Sequence, residues 1–104
     1  MIQPIDGPAK QYKLSVTTAA IVRVLKPSDA IEYEERKVVT LQPLDSSIRV
    51  YFADEGVVPS VATVAADGFF HFKKAKETYE AAATQIIYIL AENSTTGVIA
   101  AERA

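Results

Sequence analysis

The chain has 104 residues, 49% of them hydrophobic and 23% charged, with 11 basic and 13 acidic side chains for a formal charge of −2. That is a globular composition sized for one domain, not a disordered or multidomain one. No Lys/Arg block offers a phosphate-binding stripe, so nucleic acid is not an expected partner. The absence of cysteine excludes disulfides, thiolate metal sites and a Cys nucleophile.

The first elements are extended. Residues 1–11 hold Pro4, Gly7 and Pro8. Proline lacks the N–H that a sheet ladder requires, so this stretch reads as an arm outside the sheets, with the domain proper spanning 12–104. It lacks the charged start and apolar stretch of a signal peptide, and no apolar run approaches the ~20 residues that cross a bilayer. The expectation is production in a cytoplasm, with no membrane partner. Tyr12, Leu14 and Val16 alternate with polar residues, the period of a half-buried strand. A second run, Ala20–Leu25, ends at Pro27. Residues 27–36 could begin a helix at Ser28 or Asp29, but too few apolar residues follow, and the stretch reads as a charged excursion. Lys37–Gln42 regains β-branched character, and Pro43 ends it.

In the second half, short apolar runs alternate with Asp/Gly punctuation. Ile48, Val50 and Phe52 share one face of a strand, and Arg49, Tyr51 and Ala53 share the other. Gly56 closes the Asp54-Glu55-Gly56 turn, where a positive φ is expected; Asp67-Gly68 reads as a second turn of that kind before Phe69–Phe72. Residues 73–83 have the highest helix propensity in the chain, yet their apolar positions are mostly alanine. They predict a short helix or a broad loop crossing between sheets. Ile86–Leu90 is apolar on both faces, as in a central strand covered on each side, and Val98–Ala101 closes the chain beside it. Seven to nine short strands at this spacing predict an all-β fold, a small β-sandwich of jelly-roll type with at most one short helix.

Chemistry is sparse. His71 stands alone between Phe70 and Phe72 without a second His, a Cys or a nearby acid pair, and reads as a surface or interface residue. Asp54, Glu55 and Asp67 lack calcium-loop spacing, and turn formation explains them. No serine lies in a Gly-x-Ser-x-Gly elbow, and the four glycines form no phosphate loop. No catalytic, metal or cofactor residue is assigned. Nine aromatic side chains raise sugar stacking as a competing role, although alternation assigns Phe52, Phe70, Phe72 and Tyr88 inward and there is no Trp. Arg49 and Tyr51 are the residue types enriched at protein contacts.

The order of pieces over residues 20–101 carries a resemblance: a β run and Pro-Ser corner, Val38–Leu41, Ile48-Arg-Val-Tyr-Phe52, Ala53-Asp-Glu-Gly56, Val58-Pro-Ser60, Asp67-Gly68-Phe69, then the closing pair of strands. It resembles the small β-sandwich virion proteins of tailed bacteriophages. The resemblance implies a capsid decoration (cement) or head–tail accessory protein, non-enzymatic, without cofactor and located in the virion. Its expected partners are a major capsid protein or another virion protein, and further copies of itself, with a trimer favoured. A carbohydrate- or host-surface-binding tail module is the alternative. The expected contact residues are Arg49, Tyr51, Asp54 and Glu55, joined by Pro4 and Pro8 of the arm, which would dock on a neighbouring subunit.

Overall fold

The computed structural model describes residues 9–24, 38–54, 56–80 and 85–103. Its strands are β1 (Ala9–Val16), β2 (Val22–Arg23), β3 (Val38–Pro43), β4 (Ile48–Asp54), β5 (Phe69–His71), β6 (Glu77–Glu80), β7 (Gln85–Ala91) and β8 (Thr96–Arg103). One helix, α1 (Val61–Asp67), lies between β4 and β5. The strands form two four-stranded antiparallel sheets in the orders β1-β8-β3-β6 and β2-β7-β4-β5. That interleaving, with successive strands switching sheets everywhere except between β4 and β5, is the strand order of a jelly roll.

Period-two alternation builds the core. In β3, Val39, Leu41 and Pro43 point inward while Val38, Thr40 and Gln42 are half-buried. From the opposing sheet, Ile48 and Val50 of β4 and Ile87 and Ile89 of β7 meet them, all fully buried. The outer face of β7 is also covered: Ile86, Tyr88 and Leu90 form a second cluster with Ala53 and Val64. Val64 belongs to α1, so the helix lies on the outside of the second sheet. Tyr88 is therefore buried beneath the helix, not inside the sandwich as alternation alone suggested.

Helix α1 is defined by its two ends. Ser60, extended at φ −84°, accepts the Thr63 N–H at 3.1 Å through its Oγ, the bond of an N-cap. At the other end the Gly68 N–H donates to Val64 O at 2.9 Å. Gly68 has φ −69°, so it is not the positive-φ turn expected of Asp67-Gly68. Space is what demands glycine here: a Cβ would meet Val64 O at 2.6 Å and Arg49 Cβ at 3.0 Å. Gly56, by contrast, does sit at φ +88°, in a turn closed by Val57 N–H to Asp54 O at 3.0 Å.

Two boundaries differ from expectation. Ala9, Lys10 and Gln11 belong to β1, paired with Arg103, Glu102 and Ala101, so the ladder takes in the last three residues read as arm. Residues 73–80 contain no helix. The chain crosses between sheets after Phe72 and enters β6, where Thr78 faces Thr40 with hydroxyls 2.9 Å apart and Tyr79 pairs with Val39. Cross-strand partners outweigh the local helix propensity.

Candidate interaction surface

β5 ends the second sheet, hydrogen-bonded to β4 alone among the described strands. It carries an unusual load for an edge: Phe69 is 67% exposed and Phe70 41%, and Phe72 just beyond is 67% exposed. Phe70 and Phe72 were expected inside. They lie instead on the outer side of the edge, ring to ring at 4.8 Å and 83°, where no element among the described residues covers β5 as α1 covers β7. Phe69 lies on the inner side at the sandwich rim, its ring edge-on to Phe52 at 6.4 Å. Large apolar surface left in water marks a contact site.

Arg49 occupies the register position opposite Phe70. Its Nε and Nη2 donate to Glu92 Oε1 at 3.1 and 3.0 Å, its Nη1 donates to Gly68 O at 3.3 Å, and the guanidinium lies 5.1 Å from the Phe70 ring centroid. The hydrogen bond to Glu92 holds the guanidinium pKa above its ordinary value. This forked, stacked clamp fixes the orientation of Phe70. Tyr51 is half-buried and packs against the cluster under α1. Asp54 is exposed at the end of β4. Arg49 thus stands beside the aromatic edge, whereas Tyr51 and Asp54 follow it along β4 away from that edge. Glu55, Pro4 and Pro8 lie outside the described residues, as does the acidic stretch Glu32–Glu35.

The residues after Phe72 form a basic turn built from backbone bonds. Lys73, Lys74 and Lys76 are all exposed. The Lys73 N–H donates to Ser47 Oγ at 3.0 Å and the Lys74 N–H to Pro43 O at 2.6 Å, while Lys74 O accepts from Gln42 Nε2 at 3.1 Å. Lys74 is held at φ +66°, a left-handed conformation uncommon for a residue with a side chain. Ser46 braces the neighbouring loop: its Oγ accepts from the N–H groups of Asn93 and Ser94 at 3.1 and 3.4 Å.

His71 is not a surface histidine. It is fully buried, with Nε2 2.7 Å from Ala75 O and Nδ1 2.8 Å from Tyr79 Oη. A carbonyl only accepts, so Nε2 donates to it, and in the neutral ring Nδ1 then accepts from the tyrosine O–H. With both nitrogens satisfied the ring can sit in the core. Among the described residues no group of three or more His, Asp or Glu side chains is placed to hold a metal ion. An open, polar depression of about 400 Å³ lies between β1 and the start of β8, lined by Lys13, Ser15, Asp45 and Thr96 among others. No helix among the described residues is long and apolar enough to cross a membrane.

Alternation misplaced Phe70 and Phe72 because it says which residues share a face and not which face the core covers; the register sets His71 against buried Ile48 and Phe70 against Arg49, so the histidine takes the inner face. The readable signal was the segment Phe69–Lys76 itself, four aromatic rings including His71 followed by three lysines in four positions. No family model matches this chain, and no curated protein does either. Among solved structures, a chain described as "Bacillus endospore appendages form a novel family of disulfide-linked pili" aligns with 100% of this chain and 95% of its own length. The identity is 10% and the TM-score 0.43, a likeness too slight to carry an argument.

Proposed function

We propose that this chain is a non-enzymatic structural subunit of a tailed-phage particle, a decoration protein that binds and stabilises the capsid shell. The observation that carries the reading is the aromatic edge: three exposed phenylalanines at the rim of a rigid sandwich, one of them clamped by Arg49. Such a surface gains free energy by being covered by protein, and aromatic and Arg residues are those that dominate protein contacts. The order of strand and turn pieces resembling phage virion proteins supplies the setting.

Purified particles should carry the protein at a copy number matching positions of the shell lattice. Recombinant protein added to shells lacking it should co-sediment and raise their melting temperature, and Phe70→Ser with Phe72→Ser should lose that occupancy. Shells that neither bind nor gain stability from the wild-type protein would overturn the reading.

Exposed rings also favour the second reading, a tail-associated carbohydrate-binding module. Sugar stacking needs an open flat ring face flanked by hydrogen-bonding groups. Here Phe70 and Phe72 meet edge to face, and Arg49 lies over Phe70, an arrangement that favours a protein partner. Glycan-array binding abolished by the same Phe variants would reverse that preference.

A further inference from the structure

We infer that the β5 edge is a self-association surface, and that it pairs antiparallel with β5 of a second copy about a two-fold axis at Phe70. The inference rests on the reading of the aromatic edge as a contact surface and names what covers it in the free protein, an occupant that the shell would displace on binding.

The segment from Asp67 to Lys74 has an acid at one end, aromatic rings in the middle and two lysines at the other end. Antiparallel pairing of the three strand residues Phe69–His71 about Phe70 brings the end of α1 in each copy past the turn after Phe72 in the other. Asp67 of each copy then lies toward Lys73 of the other, and the exposed Phe69, Phe70 and Phe72 of both copies gather at the centre. Asp67, Lys73 and Lys74 are all exposed, and none of them has an ion-pair partner among the described residues. Like charges meet nowhere along this register; a parallel pairing would set Asp67 against Asp67 and Lys73 against Lys73. The charge pattern therefore selects one orientation, and a two-fold contact is self-complementary by construction.

The surface is also pre-built. Arg49 fixes Phe70, and three hydrogen bonds, one to backbone and two to side chains, hold the Lys73 and Lys74 backbone in a turn with Lys74 at φ +66°. Little ordering is left to be done on association. Among the described strands β5 pairs with β4 alone, and pairing its other edge would join the two second sheets into one continuous sheet across the dimer. A three-residue strand with three rings is small beside the ~800 Å² per partner of a standard interface. Dissociation is accordingly expected at ~1–100 μM.

Sedimentation velocity over a concentration series, with the full chain, reads this directly. The wild type should show a monomer–dimer equilibrium. Asp67→Lys and Lys73→Glu should each weaken it by about tenfold or more, since each sets like charges together twice. The combined Asp67→Lys/Lys73→Glu chain, with opposite charges facing again, should return to within a few-fold of wild type. Phe70→Asp should leave a monomer whose circular dichroism and Tm show that it is folded. A wild type that stays monomeric at several hundred micromolar, a trimer, or a double variant no tighter than the single ones would overturn the inference. Failure of the two proposals is separable. A monomer that still occupies shells sinks the two-fold pairing alone, and a charge-swappable dimer that ignores shells sinks the decoration role alone.

Discussion

A histidine sealed in a β-sandwich must have both ring nitrogens occupied, and His71 achieves this by reaching between the sheets: Tyr79 belongs to β6 of one and His71 to β5 of the other. Their hydrogen bond ties the two sheet edges together on one flank. His71→Ala removes a buried ring and strands the Tyr79 hydroxyl and Ala75 carbonyl, so a loss of about 2–4 kcal/mol is expected, read as a Tm fall of ~10 °C or more. Tyr79 reports the same environment through its own proton. Burial, helped by the nearby Glu77 carboxylate, pushes its phenol from 10.0 up to about 12. Between those values the unfolded chain has lost a proton that the folded chain keeps. The contribution to stability is therefore complete below pH 10 and is lost as pH rises through about 12. Alkaline absorbance titration should show a late-ionising tyrosine that disappears in Tyr79→Phe; a phenol that titrates near 10 there would place its ring in water. None of this was legible from a lone His between two phenylalanines, because partners eight residues away or nearer count only once a crossing loop and an added strand bring them back.

At the scale of elements, legibility followed cover. Strands whose two faces are both claimed, such as β7 between core and helix, announce themselves by unbroken apolar runs. Those with one face in the core, β3 and β4, announce themselves by alternation. Helix α1 was missed because Val61–Asp67 is too short to display a 3.6-residue period, and its β-branched residues argue against helix on propensity. Ser60 ahead of an apolar run was the available sign. What makes α1 a helix is its buried Val64 over β7 and its two capped ends, and the C-terminal one depends on close backbone approach. Gly68→Ala drives a Cβ to within 2.6 Å of Val64 O and 3.0 Å of Arg49 Cβ. Backbone must shift, so a cost of about 1–3 kcal/mol is expected despite the better helix propensity of alanine. The displaced Arg49 should loosen its clamp on Phe70 as well, so Gly68→Ala should weaken association at the aromatic edge beyond what its stability loss explains. Chemical denaturation measures the first effect and sedimentation the second. An unchanged denaturation midpoint would mean that the helix end simply slides away.

At the scale of the whole molecule, β1 and β8, the first and last of the described strands, pair along eight consecutive positions from Ala9↔Arg103 to Val16↔Thr96. A jelly roll wound this way leaves the outermost strand of the first sheet dependent on the final residues of the chain. Proline chemistry led to the expectation of an arm over residues 1–11, of which 1–8 lie outside the described residues; Ala9, Lys10 and Gln11 carry no strand signal of their own and are recruited by their partners across the ladder. That gives the boundary a direct test. A chain starting at Ala9 retains every β1–β8 pairing, whereas one starting at Tyr12 loses three. Ladder hydrogen bonds contribute about 0.5–1.5 kcal/mol each in net terms, and a domain of this size shifts by ~4–8 °C per kcal/mol. The shorter chain should therefore melt at least ~5 °C below the longer one. If the decoration role proposed above holds, removal of residues 1–8 should bear instead on attachment to particles, through loss of Pro4 and Pro8. Equal melting temperatures for the two truncations would show that positions 9–11 contribute nothing to the sheet in solution and would return the arm's boundary to Tyr12.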